Sequence, residues 1–254
     1  MKKLILFTVT LLAVFAISSS RAEAVLEIDG RYWLSTLDSN VQVTDGGLLG
    51  TDIDLVDDLG IDDEESFPEI RVRLGLGSHH LRYSYMSLSW DGSTNIADLT
   101  GIDFGGTNFA QTTLVKTSLD IDYHRLGYEY DLIDLLRNRI TLIAELKYLD
   151  VETELDAPIA ALNESESTSV PIPTVGIGIQ AGLPALLDVS AEVTGIGLGS
   201  DAYFIDAEAM INFHPAPLFV VSGGYRYINL HAEDNDDKLD FLLDGPFLMV
   251  KIGF

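Results

Sequence analysis

Charged residues recur at every second position in several stretches of this 254-residue chain. Glu27, Asp29 and Arg31 form one such row, and Glu69, Arg71 and Arg73 another. Asp120 and Asp122, Glu145 and Lys147, and Asp206 and Glu208 repeat the spacing. Residues two apart share one side of an extended strand, so each row predicts one charged strand face. Arg82, Arg125, Arg226 and Lys251 fall in the same phase. Guanidinium forks matched to carboxylates satisfy one another where water is scarce. Such a set can do two things: hold a narrow interior together as a polar plug, or select small solutes by charge as an eyelet.

Other candidate chemistry is thinner. The stretch 44–66 carries many acids and no base, with Asp57, Asp58, Asp62 and Asp63 the best-spaced candidates for a divalent cation. Hard carboxylates suit Ca²⁺, but the spacing does not match a D-x-[DN]-x-[DN]-G loop. A solvated acidic loop explains it as well, so no metal or cofactor is expected beyond possible divalent cations. His231 with Glu233 and Asp234 could act as a general base, but no second Asp pair is clearly placed opposite. The glycines at 176, 178, 195, 197 and 199 lie in or beside strands and form no phosphate loop. No cysteine is present, which excludes disulfides and thiol chemistry. A net charge of −25 argues against nucleic acid, which needs a basic surface.

The elements that must position these charges are strands. Ten segments alternate apolar with polar at a period of two: 25–43, 68–76, 79–90, 112–131, 140–152, 174–181, 186–194, 202–213, 219–231 and 239–254. In the fourth, Leu119, Ile121 and Tyr123 share one face, then the phase slips near His124-Arg125 so that Leu126, Tyr128 and Tyr130 take it over. A β-bulge would produce that slip. Connectors alternate between long (44–66, 91–111, 153–169) and short (77–78, 182–185, 214–217), with 132–139 of moderate length. An even strand count, short turns at one end and long loops at the other describe an antiparallel up-and-down barrel of about ten strands, or eight if two segments are misread.

The remaining question is which face is inside. The chain is very acidic yet 47% apolar, a conflict for a water-soluble protein. A transmembrane barrel resolves it, with apolar side chains toward lipid and charges in lumen and loops. Met1-Lys2-Lys3, the apolar run 4–17 and Ala22-Glu-Ala24 read as a cleavable signal peptide over 1–24, leaving 25–254 as the barrel. The apolar run falls short of the ~20 residues a spanning helix needs. The last strand ends on Phe254 with no polar tail.

That ending resembles the C-terminal strand of bacterial outer-membrane β-barrels, whose final aromatic belongs to the signal read by the barrel-assembly machinery. As a whole, 25–254 resembles the small outer-membrane barrel proteins, loosely the OmpW/OmpX-like group. The resemblance implies a Gram-negative outer membrane, with lipid and lipopolysaccharide as neighbours. The expected function is a non-enzymatic barrel, structural or passing small solutes through a narrow charged lumen. One alternative is a surface adhesion or interaction protein acting through acidic extracellular loops. Another is a surface protease, because the ten-stranded omptins resemble this chain in strand number and use Asp pairs with an Asp-His pair at the outer rim.

Overall fold

The computed structural model describes residues 24–42, 52–95, 103–104, 107–108, 114–135, 137–157, 162–197, 199, 201–234 and 237–253. Residues 1–23, all of the expected leader except Ala24, and the expected assembly signal Phe254 lie outside them. Ten long strands form the wall. They are β1 (Ala24–Gln42), β2 (Glu64–Leu76), β3 (His79–Asn95), β4 (Leu114–Leu135) and β5 (Asn138–Ala157), followed by β6 (Leu162–Gly182), β7 (Leu187–Gly197), β8 (Ala202–Ala216), β9 (Phe219–Asp234) and β10 (Asp237–Gly253). Each pairs antiparallel with the next, and β10 closes on β1 from Glu27↔Gly253 to Gln42↔Lys238. Closure leaves no strand edge unpaired, the condition for strands to cross lipid. The short strand Asp52–Asp54 returns along β1 above the point where β2 leaves it.

The wall is taller than a membrane. β4 has 22 residues; at ~3.4 Å per residue and a tilt near 40° it stands roughly 55 Å, about twice the apolar band of such barrels. The two halves are built oppositely. In the half nearer the short turns, apolar side chains face out: Ile70, Leu126, Leu142, Ile177, Ile211 and Val250 are all exposed. Arg71, Arg82, Arg125, Glu145 and Glu208 point into the lumen and are buried. Above Tyr32, Tyr85 and Tyr225 the pattern inverts. The hydroxyls of these tyrosines meet Ser66 (2.6 Å), Asp122 (2.7 Å) and Asp244, as expected of aromatic residues at a lipid–water interface. Higher still, the outside carries Asp120, Asp150, Glu152 and Glu154, all exposed, and the inside carries Trp33, Leu37, Phe67, Trp90 and Ile121, all buried.

Three sequence expectations are corrected. No bulge interrupts β4 at His124-Arg125, where the ladders to β3 and β5 run without a shift and the only irregularity falls between Asp131 and Ile133. Leu119, Ile121 and Tyr123 therefore point inward and Asp120 and Asp122 outward. The phase never slipped; the strand crossed from lipid into water, and the residue type wanted outside changed. The expected loop 153–169 is mostly ladder, with Glu152↔Ser167 through Ala157↔Leu162 paired. The connector 132–139 narrows to a turn, since β4 runs to Leu135 and β5 begins at Asn138.

Candidate functional site

The lower lumen is crossed by one continuous chain of ion pairs. Each member is placed by the inward phase of its strand, and the strand stagger decides which charges meet. Arg31 on β1 reaches Glu208 on β8 (2.7 Å) and Glu69 on β2 (3.3 Å). Glu69 also holds Arg226 of β9 (3.1 Å), which forks onto Asp206 of β8 (3.0 Å). Lys147 of β5 bridges Asp206 (2.7 Å) to Glu145 (2.9 Å). Glu145 takes Arg125 (3.2 Å) and Arg82 (2.5 Å). Arg82 continues to Glu192 (2.6 Å) and Glu129 (2.9 Å), and Glu129 to Arg73 (2.7 Å). Arg73 and Lys251 end the chain on Glu27, at 3.3 and 3.7 Å.

Side chains fill this tier. Lys147 and Arg226 are 0% exposed and Arg125 is 1% exposed, so water does not reach these three cations. Charges this deep persist only when paired on most sides, and here each carboxylate serves two or more cations. The tier is sealed from above by rings: the Arg31 guanidinium lies 4.1 Å from the Phe247 centroid, and that of Arg226 lies 5.1 Å from Trp33. Above them Phe67 and Trp90 meet edge to face at 4.9 Å. Toward the short turns the lumen opens into a cavity of about 150 Å³, whose lining includes Glu27, Asp29, Arg71 and Arg73 together with the apolar side chains of Ile143, Met210, Val220 and Met249.

Of the residues singled out from sequence, Glu27, Asp29, Arg31, Glu69, Arg71, Arg73, Arg82, Arg125, Glu145, Lys147, Asp206, Glu208, Arg226 and Lys251 face this lumen. Asp120 and Asp122 do not; they sit on the outer wall above the tyrosines. Sequence reasoning missed two His–Asp pairs near the lower mouth. His80 Nε2 lies 2.8 Å from Asp131 Oδ2, with both side chains buried inside the barrel. His214, assigned to a turn, pairs with the buried Asp188, which also accepts from Asn212 Nδ2 at 2.6 Å. The inward phase of β3 and β8 carried the signal for both. Trp33 was equally in phase with Arg31.

The acidic stretch offers no convergent cation site: no group of three or more such ligands comes together among the described residues. Asp54 Oδ1 instead accepts from the Val56 and Asp57 amides (2.9 and 2.8 Å), and Asp58 from the Asp54 amide (2.9 Å). His231 sits on the outer wall, its Nδ1 2.5 Å from Asp240 and its ring stacked on Tyr203 at 5.3 Å. Burial works to raise the Asp240 carboxyl, but hydrogen bonds with Lys238 and His231 outweigh it and hold the group below its usual range.

No known family and no curated protein matches the sequence. Solved structures do match in fold. The outer membrane protease OmpT from Escherichia coli superposes with a TM-score of 0.61 at 9% identity, covering 93% of this chain and 100% of that one. Ail, the attachment invasion locus protein of Yersinia pestis, gives 0.41 at 13% identity over 91% and 99% of the two chains. The P. putida toluene transporter TodX gives 0.34 at 8% identity over 92% and 90%. At such identities the likeness is one of fold. The closed ten-strand ladder, the lipid-facing band with its tyrosines and the OmpT-like fold together describe a small ten-stranded β-barrel of the bacterial outer membrane.

Proposed function

We propose that the protein is a non-enzymatic outer-membrane barrel with a closed lumen, a structural element that passes no solute from face to face. The complete burial of Lys147, Arg125 and Arg226 across the lumen supports this reading above all else. The apolar tier of Trp33 and Trp90 above them adds a second barrier. Barrels with open aqueous channels have about sixteen strands, and eight are filled by side chains; ten with this packing belong with the filled ones. His231 on the outer wall, paired with Asp240 and stacked on Tyr203, supports the non-enzymatic part. Phospholipid and lipopolysaccharide would pack on the apolar band, and Phe254 would serve the assembly machinery. Purified protein in planar lipid bilayers should give no conductance steps. Stable openings in the wild type would overturn the closed lumen.

A surface-interaction role is favoured by one feature of the upper wall. Asp122 lies directly opposite Asp150, and Asp120 opposite Glu152, on the exposed face of β4 and β5. Like charges opposite each other cost a sheet stability, and a cationic partner would relieve that cost. Converting Asp120, Asp122, Asp150 and Glu152 to their amides should raise barrel stability by roughly 1 kcal/mol or less and weaken adsorption of purified barrel to a polylysine surface at low salt. Adsorption equal to that of the parent would remove the acidic wall as a binding face.

A further inference from the structure

The ladders leave no open edge at the height of the lipid, but one edge rises clear of it. β6 pairs with β7 only from Val175↔Gly195 down to Gly182↔Asp188. On its other side it follows β5 up to Ala157↔Leu162. Residues 162–174 of β6 therefore have β5 beside them and, among the described residues, no strand on the opposite side. This end of the barrel bears the long loops, which face the cell exterior in barrels of this kind. We propose that the free edge, centred on 163–169, is a strand-addition site for an extended peptide that alternates basic with apolar residues. The proposal rests on the surface-interaction reading above and deepens it.

The backbone is the first constraint. Pro171 and Pro173 have no N–H to give to β5, so theirs is the phase that turns toward the open side. Ser165, Ser167 and Ser169 share it and keep the N–H groups that the prolines lack. At ~3.3 Å per residue, 163–169 presents a row of donors and acceptors roughly 20 Å long. Natural edges are blunted by Pro, Lys or a bulge. Here the prolines guard only the foot of the edge, where Pro171 lies opposite Tyr148, and 162–169 contains neither Pro nor Lys. The space beyond the end of β7 is open: among the described residues, a Cβ on Gly197 or Gly199 meets nothing within 4 Å.

The two faces beside the edge make different demands. On the outside Ser165, Ser167 and Ser169 are short and exposed, and behind them on β5 stand Glu154, Glu152 and Asp150, each directly opposite one serine. Ser169 Oγ donates to Asp150 Oδ1 at 3.0 Å. Neighbouring strands lie about 4.8 Å apart, so a Lys or Arg on an added strand can reach over the serines to this acidic row. On the inside Val170 is 41% exposed, while Ile172, next in its phase, is 9% exposed. An apolar side chain on the added strand would cover Val170. The period of two assigns these demands to alternate residues of the peptide. A second barrel in the same membrane does not fit the edge. Rotating a copy about the membrane normal reverses the tilt of its β6, and at about 40° each the two edges cross instead of running side by side.

The probe is a fluorescent heptapeptide, Lys-Val-Lys-Val-Lys-Val-Lys, blocked at both ends. It is titrated with full-length barrel in uncharged detergent at about 0.15 M salt, where exposed charges are screened beyond ~8 Å. Its control is the diastereomer with D-valine throughout, identical in charge and composition, whose extended form puts all side chains on one face. Anisotropy should show saturable binding of the all-L peptide, about tenfold or more tighter than the control, the worth of a few backbone hydrogen bonds. Ser167→Pro repeats the phase of Pro171 and Pro173, so it keeps the β5 ladder and removes a donor from the free edge. It should bring the all-L peptide down to the control's affinity, while Ser167→Ala, which keeps the N–H, should bind as the parent does. No saturable binding, equal affinity for the two peptides, or undiminished binding by Ser167→Pro would each overturn strand addition. Should Ser167→Pro fail to fold, the two peptides on the wild type decide alone. The amide changes at Asp120, Asp122, Asp150 and Glu152 should weaken both peptides. If they do so while the two peptides bind alike, the acidic wall stands and the edge falls; if they weaken neither, the surface reading falls with it.

Discussion

Replacing Glu145 by Ala should lower the unfolding free energy by about 3–5 kcal/mol, the cost of stripping the shared partner from buried charges. Glu145 holds three cations at close range, 2.5 Å from Arg82, 2.9 Å from Lys147 and 3.2 Å from Arg125. Without it Lys147 keeps only Asp206, and Arg125 keeps Glu192 at 3.2 Å and longer contacts. Neither cation can swing out to water, because packed side chains lie above and the wall surrounds them. With a urea slope near 2 kcal/mol/M, the midpoint of unfolding from lipid vesicles should fall by roughly 1.5–2.5 M. Glu192→Gln, whose side chain is 16% exposed at the cavity, should cost less, because water can reach the cations it leaves. The double change Lys147→Met with Asp206→Asn should cost less than the sum of its parts, since it removes a pair and orphans neither member. An unchanged midpoint for Glu145→Ala would mean that the tier is hydrated and its ion pairs are incidental.

The legible part of this fold was the half that lies in lipid. There, apolar-out and charge-in alternate cleanly, so rows such as Glu69-Arg71-Arg73 and Ile70-Val72-Leu74 could be assigned to faces from spacing alone. The upper half uses the same period with the opposite sense. Leu119, Ile121 and Tyr123 are as apolar as the lipid-facing residues below them on β4, and one strand offers no way to tell an inversion of surroundings from a slip of register. Neighbouring strands would have told. Ser87 and Ser89 on β3, and Asp150, Glu152 and Glu154 on β5, turn polar on the outer face at the same height as Asp120 and Asp122. A bulge is local to one strand; a water surface cuts all of them. Partner choice within the lumen was not legible either. Arg226 meets Glu69 across 157 residues of sequence, a pairing set by how the sheet staggers as it closes, not by any local spacing.

Closure itself rests on a glycine. Nine of the ten ladders join strands that follow one another in the chain, and only β1 with β10 must find its partner from the far end, the slow and entropically costly contact. That ladder skips a step between Trp33↔Phe247 and Thr36↔Asp244. Gly245 and Pro246 stand in the gap, and Pro246 has no N–H to give. β1 and β10 press together there: a Cβ on Gly245 would lie 1.9 Å from the Leu34 carbonyl oxygen, 2.9 Å from its carbon and 3.0 Å from Ser35 Cα. All three are backbone atoms, which no rotamer change can move aside. The Trp33 indole ties the spot down by donating to the Gly245 carbonyl at 3.1 Å, so separating the strands also pulls Trp33 out of the apolar tier. Gly245→Val should therefore leave the nine hairpin ladders able to form and the last one unable to. The expected result on refolding into detergent is loss of the compact, fast-migrating band on an unboiled gel, with protease cutting throughout the chain. Gly30→Ala on the same β1 has nothing within 4 Å of its new Cβ and should assemble as the parent does. Were Gly245→Val to give the compact band in normal yield, the close approach at the seam would not be what closes the barrel.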